Sequence, residues 1–454
     1  MSQQREDIYT HSDSSKTVYA AYPDWLKERL EWFQDLKFGL ILHWGIYTLW
    51  DGCIESWPLV EEDTWARPDD LKPWIERGKN LEQFRRDYWA LNMHFNPTEF
   101  DPNLWAEAAE EAGMKYVAFT TKHHDGFCMF DTKWTDYRVT HPSCPFHKNP
   151  RANIAKHVFQ AFRERGFGIT CYFSKSDWHS PYYWHPDAPA RDRNPNYDTR
   201  KYPERWEKFV QYVHGQITEL MTDYGRIDVL WLDGGQVRPP DQDIRMAEIA
   251  AKARQLQPGL IIADRTVGGE YENIITPEHT IPEIPPNHPW ESCFVMGTSW
   301  PYKRNDQYKS TRTLIHMIIE IVGKGGNALL GFGPTPRGTF APEIVARLRE
   351  IGKWMRVNAE AIYGTRSLFE FREKNTYYTK KGRNVYAIIL SGDESDSPPT
   401  EIRLVNVRPA PGTEVHLLGR EEPLEWQLKN GQTSIAFPRG KPPCEHAWVI
   451  KVVV

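Results

Sequence analysis

The sequence predicts an α/β protein in which a (β/α)8-like TIM barrel is followed by a C-terminal antiparallel β-sandwich. Two patterns lead to this prediction. Apolar runs alternate with amphipathic helical patterns up to about residue 360, as in parallel strands joined by right-handed crossovers. After about Gly364 the helical period ends, and short strand-like runs with turn signals follow. A chain of 454 residues has room for both parts.

The predicted barrel consists of strand and helix segments that alternate along the chain. The predicted strands are residues 37–44, 115–121, 167–174, 227–235, 260–264 and 327–332. The predicted helices are residues 101–113, 153–166, 244–259, 313–326 and 341–355, with a long one inside 202–224. The helix at 101–113 has the clearest ends, because Asp101 can cap it, Pro102 suits its first turn and Gly113 can terminate it.

The β-sandwich is predicted from a second set of segments. They are residues 375–390, 400–408, 414–420, 425–437 and 446–454, with turn signals such as KKGR and KNGQ inside them. We predict a catalytic domain over 1–364 and a sandwich over 365–454. The boundary near Arg366–Lys374 has no Gly/Ser-rich linker, so the second domain is expected to pack on the first. Its role is either structural or carbohydrate binding.

Charge and hydropathy exclude some classes of partner. A net charge of −5, without a basic block, argues against binding to nucleic acid or an anionic membrane. No apolar run is long enough to span a bilayer, and MSQQREDIYT lacks a signal-like apolar core. We therefore expect a soluble protein, cytoplasmic as written, or periplasmic or secreted if a signal segment was removed. The oligomeric state is left open.

Cysteine spacing and aromatic content bear on the chemistry. The six cysteines show no CxxC pair or zinc-site spacing, so they are expected to be free thiols, mostly buried: Cys53, Cys128, Cys144, Cys171, Cys293 and Cys444. The 19 Trp, 21 Tyr and 20 Phe favour a sugar-binding protein, because flat rings pack on sugar faces. A core rich in large side chains would explain the same count.

Polar residues recur where predicted strands end. The run IDVLWLDGGQ ends in Asp233 followed by two glycines, which allow the backbone to turn away from a buried strand. The first predicted strand ends in His43 and Trp44, and two others are followed by His123 and His124 and by Arg265. Since the carboxyl ends of parallel barrel strands share one rim, these side chains are expected to line one pocket.

The residues expected in this pocket favour one of three chemistries. Zinc catalysis is not expected, because adjacent histidines in an extended segment should point to opposite sides. A serine triad is not expected, since no GxSxG motif is present. Paired carboxylates fit glycoside hydrolysis better, with Asp233 as one acid. The second acid should come from the proline-rich loop 276–292, which supplies Glu278, Glu283 and Glu291.

Short motifs in the first 360 residues carry a family resemblance. They are KFGLILHWG, KHHDGF, LWLDGG, TPE, PWE and NALLGFGP. In this order they resemble the α-L-fucosidases of glycoside hydrolase family 29. The resemblance implies a barrel followed by a sandwich, a retaining double displacement, and no metal or cofactor. It also implies that Asp233 is the nucleophile, with Glu278 as the first choice and Glu291 as the second choice for the acid/base.

The resemblance also implies a set of substrate-binding residues. They are His43, Trp44, Glu55, Trp57, His123, His124, Trp231, Arg265 and Trp300. Three positions depart from the family pattern. The family's Glu-Trp pair is interrupted here by Ser56, Gly331 stands where an asparagine is common, and Arg337 stands where an acid is common.

Together these observations predict a retaining, exo-acting α-L-fucosidase. Its two catalytic carboxyl groups should lie roughly 5–5.5 Å apart. One alternative is a relative that hydrolyses another L-sugar, such as an α-L-glucoside or an α-L-galactoside. Another is a noncatalytic carbohydrate-binding protein, which would not need two facing acids.

Overall fold

A computed structural model describes residues 19–50, 54–67, 80–392 and 397–454. Its first part is built on one parallel sheet whose strand order is β5-β4-β3-β2-β1-β7-β6. All of its strand pairs are parallel. The strands are β1 (Phe38–Leu42), β2 (Tyr116–Lys122), β3 (Gly168–Ser174), β4 (Val229–Asp233), β5 (Ile261–Asp264), β6 (Glu291–Val295) and β7 (Asn327–Phe332). The predicted barrel-like α/β fold is confirmed.

Helices alternate with the strands as predicted, except between β5 and β6, and the first two helices were not predicted from the sequence. They are α1 (Asp24–Leu36), α2 (Leu81–Trp89), α3 (Pro102–Glu111), α4 (Ile154–Glu164), α5 (Pro203–Asp223), α6 (Met246–Leu256), α7 (Thr311–Gly323) and α8 (Pro342–Asn358). Helix α3 begins as its sequence predicts, since the Asp101 side chain accepts a hydrogen bond from the Asn103 amide at 3.1 Å. It ends before Gly113, whose φ of +88° suits glycine.

An irregular segment fills the place between the edge strands β5 and β6. On one side, the Asn273 amide donates to the Ile262 carbonyl of β5 at 2.8 Å. On the other side, the Glu291 amide donates to the Ile275 carbonyl, and the Cys293 amide donates to the Pro277 carbonyl. Residues 272–279, which we call the closing segment, thus join the two edges. This segment carries Glu278 to the barrel rim.

Strand β6 is the barrel strand that the sequence analysis missed. Residues 276–292 were interpreted as one long loop because of their prolines, but β6 already begins at Glu291. It pairs with β7 in a register that sets Glu291 opposite Asn327, the first residue of that strand. Glu291 therefore lies at the amino end of the sheet, whereas strand-end residues such as Asp233 lie at the carboxyl end.

The C-terminal part consists of two antiparallel sheets with orders β12-β15-β10-β9-β8 and β11-β14-β13. Their strands are β8 (Arg366–Glu373), β9 (Thr376–Lys381), β10 (Asn384–Leu390), β11 (Glu401–Leu404), β12 (Val415–Leu417), β13 (Trp426–Lys429), β14 (Gln432–Ala436) and β15 (Ala447–Val453). Side chains from both sheets form a shared core that includes Tyr378, Leu404, Ile435 and Trp448. The predicted sandwich is confirmed, although β8 occupies a stretch that was expected to be only a boundary.

The two parts pack directly on each other. The Trp354 indole of α8 donates to the Ala447 carbonyl at 2.9 Å, and the Thr379 hydroxyl donates to the Ala361 carbonyl at 2.7 Å. The boundary at residue 364 stays a prediction.

Two smaller expectations concern thiols and membranes. The described cysteines are free, and all are buried except Cys444, which is partly exposed, while Cys53 lies outside the described residues. Within the described ranges, none of the helices combines the length and the apolar character needed to cross a bilayer.

Candidate active site

A pocket opens at the carboxyl ends of the parallel strands. Residues singled out from the sequence supply much of its lining: His43, Trp57, His123, His124, Trp231, Asp233, Arg265, Glu278 and Trp300. The rest comes from Ile41, Tyr172, Gly234, Gly235, Gln236, Thr266 and Cys293. Side chains from distant parts of the sequence thus meet in one pocket.

Asp233 ends β4 and presents its carboxylate to the pocket, with 18% of the side chain exposed. One oxygen accepts from the Tyr172 hydroxyl at 2.6 Å, and the other accepts from Arg265 Nη1 at 3.1 Å. Burial raises the pKa of Asp233, but Arg265, His124 and the Tyr172 hydrogen bond outweigh burial and hold that pKa well below its usual range. The group is therefore an anion, as a nucleophile must be.

Arg265 joins the two candidate acids. Its Nη1 binds Asp233, while its Nη2 donates to Glu278 Oε2. Its Nε donates to the Thr276 hydroxyl at 3.1 Å, and its guanidinium lies over the Trp231 ring at 4.6 Å from the centroid. Because one planar group with fixed donors contacts both carboxylates, their relative position is tightly defined.

Serine hydroxyls orient the two adjacent histidines. His124 Nδ1 lies 2.5 Å from the Ser174 hydroxyl and 3.0 Å from the Ser176 hydroxyl. Its Nε2 faces the pocket, 3.6 Å from Asp233 Oδ2. His123 Nδ1 lies 2.5 Å from the Ser56 hydroxyl. The serines thus hold both rings in place through Nδ1.

The expectation that the adjacent histidines point to opposite sides is wrong. Strand β2 ends at Lys122, and both rings line the pocket with their centroids 4.3 Å apart. Alternation fails because the backbone leaves the extended strand just before them. Ligand atoms of His123, His124 and Asp233 lie within 4.8 Å of one another. Arg265 already neutralises the carboxylate of that cluster, so a dication would have to compete with a fixed cation.

Burial keeps the pocket histidines neutral. It lowers the pKa of His43 to about 3 and that of His124 to about 4, despite the opposing effect of Asp233. The His43 ring lies against the Trp300 ring, with centroids 4.9 Å apart. Neutral imidazoles can both donate to and accept from sugar hydroxyls.

Glu291 does not reach the pocket. It is buried in the barrel interior, where it accepts hydrogen bonds from the Tyr116 hydroxyl and the Trp231 indole, both at 2.9 Å. The reason is its position at the amino end of β6, below the pocket floor. Glu283 is exposed and does not line the pocket. Of the three loop acids, Glu278 is the one that faces Asp233 across the pocket.

Two of the expected sugar ligands lie outside the lining. Trp44 is buried against Phe95, Phe100 and Trp105, and its indole donates to the Thr335 carbonyl. Its ring points into the core because His43, the preceding residue, takes the inward position. Glu55 is fully buried beside the pocket. Burial, together with nearby Glu278, raises the pKa of Glu55 well above its usual range.

Trp57 does line the pocket, although Ser56 separates it from Glu55. The Arg193 guanidinium lies over the Trp57 ring at 4.3 Å from the centroid. The inserted serine also has a partner, since its hydroxyl contacts His123. The departure from the family's Glu-Trp order therefore still leaves the tryptophan at the pocket.

Tyr172 is the main site residue that the sequence analysis missed. It lies in β3 directly opposite Trp231 in the strand register, so both rings point into the barrel and stack at 5.1 Å. Its hydroxyl binds the Asp233 carboxylate. The available signal was its position on the strand before β4, two residues from the strand end.

Comparison with known proteins identifies the family of this chain. The family model described as Alpha-L-fucosidase matches residues 8–360, and that described as Alpha-L-fucosidase C-terminal domain matches residues 370–453. The chain belongs to the α-L-fucosidase family. It is therefore a glycoside hydrolase. Among curated members of this family, the tissue alpha-L-fucosidase of Bos taurus is 28% identical, over 95% of this chain and 90% of its own length.

Solved structures of α-L-fucosidases are also similar. Alpha-L-fucosidase isoenzyme 1 from Paenibacillus thiaminolyticus is 29% identical with a TM-score of 0.76, covering 94% of this chain and 99% of its own. A Thermotoga maritima alpha-fucosidase in complex with fucose is 25% identical with a TM-score of 0.73, covering 95% and 99%. The similarity thus extends over both parts of the chain.

Proposed function

We propose that this chain is a retaining, exo-acting α-L-fucosidase in which Asp233 is the nucleophile and Glu278 is the acid/base. The observation that carries this proposal is that the two carboxylates face one pocket and share Arg265. Relatives named as α-L-fucosidases, one of them solved with fucose, support the choice of substrate.

The proposed reaction has two steps. The Asp233 carboxylate attacks the anomeric carbon while Glu278, carrying a proton, donates it to the departing oxygen. A glycosyl ester on Asp233 then forms. Glu278, now ionised, takes a proton from water, which attacks the same carbon and releases the sugar with its configuration retained.

The shape of the pocket supports removal of a terminal sugar. Trp231 and Ile41 form its floor, and the Trp231 indole is fixed from below by buried Glu291. A chain of sugars cannot pass through such a floor. His43, His123 and His124 are the proposed ligands of the sugar hydroxyls, while Trp57 and Trp300 form the apolar walls above the Trp231 ring.

The nucleophile can be tested directly. Asp233→Ala should lower kcat on 4-nitrophenyl α-L-fucoside by orders of magnitude, because no ester can form. With the unmodified protein, 2-fluoro-fucosyl fluoride should add one glycosyl group to the peptide that contains Asp233. Normal turnover by the folded variant, or a label on another peptide, would overturn the assignment.

The acid/base can be tested by chemical rescue. Glu278→Ala should turn over slowly, and azide should restore its rate by forming the fucosyl azide. Glu283→Ala is the matched control, since this exposed acid belongs to the same loop and should keep normal activity. Rescue of Glu291→Ala instead of Glu278→Ala would reverse the assignment.

The identity of the sugar can be tested with a panel of substrates. Aryl glycosides of L-fucose, L-galactose and L-glucose should show the highest kcat/KM for L-fucose. A higher value for another L-sugar would keep the mechanism and change the specificity. Binding without turnover of any of them would favour a noncatalytic carbohydrate-binding protein.

A further inference from the structure

The two oxygens of Glu278 have different surroundings. Oε2 accepts from Arg265, which also holds Asp233, so this oxygen is on the nucleophile's side. Oε1 accepts from the Trp300 indole at 3.2 Å. The His279 side chain, which is also titratable, lies on the side of Oε1. The acid/base therefore has one oxygen turned inward to the ion pair and one turned toward His279.

His279 combines exposure with an unusual backbone conformation. Its φ is +51°, in the left-handed region that a histidine seldom adopts. Its amide donates to the Cys293 carbonyl of β6 at 2.9 Å, which fixes the backbone there. Such conformations are strained for residues other than glycine, and they concentrate at functional sites. The left-handed turn breaks the strand-like alternation, so consecutive side chains can converge on one side.

The His279 side chain stands at the mouth of the pocket. Its ring centroid is 4.9 Å from that of Trp300, and its Nε2 is 3.9 Å from Glu278 Oε1. The side chain is 48% exposed, whereas that of Glu278 is 10% exposed. A group that leaves the pocket past Glu278 Oε1 would therefore meet the imidazole.

We propose that His279 lines the leaving-group subsite and selects for substrates in which fucose is attached to another sugar. This inference rests on the proposed function. An acid must lie within hydrogen-bond reach of the bridging oxygen, so the leaving sugar has to begin next to Glu278. The pocket interior is closed by its floor, which leaves the outward side beside His279. There the imidazole donates to or accepts from a hydroxyl of the leaving sugar.

The test compares two substrates that share the fucosyl group. One is a fucosyl disaccharide, whose second sugar would contact His279. The other is methyl α-L-fucoside, whose leaving group still needs a proton from Glu278 but carries no second sugar. The variants are His279→Gly, which tolerates the left-handed backbone, and His279→Asn, which tolerates it and keeps hydrogen-bonding groups. His279→Gly should lower kcat/KM for the disaccharide by about tenfold. The value for the methyl fucoside should stay within about twofold.

Each outcome has a separate meaning. Partial recovery by His279→Asn, for the disaccharide alone, would support contact between residue 279 and the leaving sugar. Equal losses on both substrates, or no loss on either, would overturn the subsite while the proposed function stands. Failure of the unmodified enzyme to hydrolyse either fucoside would overturn both proposals together.

Discussion

At the scale of single residues, the site depends on one cation shared by two acids. Arg265 contacts Asp233 and Glu278 together, and Trp231 and Thr276 hold its guanidinium from other sides. Without this positive charge, two partly buried carboxylates bound to one guanidinium would repel each other. Arg265 therefore allows the two acids to approach each other, as the proposed mechanism requires.

Replacing Arg265 should move the acid limb of the pH profile. Burial raises the pKa of Asp233, and Arg265 is the foremost of the groups that lower it. In Arg265→Gln the pKa of Asp233 should rise, so kcat/KM should fall at a higher pH as the solution is acidified. Arg265→Lys, which keeps the charge, should shift less. The measurement is kcat/KM against pH, and an unmoved acid limb in Arg265→Gln would contradict the expectation.

Glu291 should behave as a buried structural acid. Burial raises its pKa from 4.5 to about 7, against the lowering effect of hydrogen bonds from Tyr116 and Trp231. The folded protein thus binds a proton more tightly than the unfolded chain, so ionisation destabilises it progressively between about pH 4.5 and 7. Glu291→Gln avoids this loss and still bonds both partners.

The comparison to make is thermal stability against pH. Relative to the unmodified protein, Glu291→Gln should gain stability from pH 5 to pH 7, by about 1–3 kcal/mol in all. Its kcat should stay within a few-fold and show no azide rescue. A constant stability difference across this range would argue against a buried acid with a raised pKa.

At the scale of elements, the closing segment and β7 shape the pocket mouth. The closing segment joins the edge strands through backbone bonds on both sides and delivers Glu278 and His279 to the rim. Opposite it, Gly331 of β7 leaves room for the Trp300 ring. The space that a side chain at residue 331 would need is thus taken by an indole that binds Glu278.

A side chain at residue 331 should disturb that arrangement. A Cβ on Gly331 would lie 2.4 Å from the Trp300 ring, so the ring would have to move away from Glu278. Gly331→Ala should lower kcat/KM by roughly ten- to hundredfold, because small misplacements of a catalytic group are costly. Trp300→Phe is the companion variant that keeps an aromatic ring and removes the N–H. Normal kcat/KM in Gly331→Ala would show that the ring position does not matter.

At the scale of the whole molecule, the sandwich stabilises the barrel from outside. It packs on α7 and α8, through contacts such as that of the Trp354 indole with the Ala447 carbonyl. The Ser367 hydroxyl also bonds the Gly323 carbonyl at the end of α7. These contacts lie among the helices and not at the pocket, so they bear on stability more than on substrate binding.

Removing the Trp354 side chain should lower the stability of the protein without changing substrate binding. Trp354 is buried, and loss of a buried tryptophan typically costs about 3–5 kcal/mol. Trp354→Ala should therefore unfold at a clearly lower temperature while KM at low temperature stays unchanged. Phe369→Ala is the matched control, since Phe369 is 99% exposed and its loss should leave the melting temperature unaltered. A rise in KM for Trp354→Ala would indicate that the sandwich also shapes the site.

Strand ends were predictable because their signals are local. An apolar run that stops at an acid and two glycines marks Asp233 whatever the rest of the chain does. The same reasoning located His43, His123, His124 and Arg265. It failed for β6, because prolines before Glu291 suggested a loop, and for the histidine pair, because the strand ends before it.

Local sequence patterns were enough to predict the alternation of strands and helices apart from β6, the two-part architecture and the acid at the end of β4, since each depends on neighbouring residues. Which glutamate faces Asp233 depends on how the chain packs. Glu278 and Glu291 are close in sequence, but strand pairing puts Glu291 at the amino end of the sheet and the closing segment carries Glu278 to the carboxyl end. This strand register depends on contacts between segments far apart in the chain, so it cannot be predicted from a local sequence pattern.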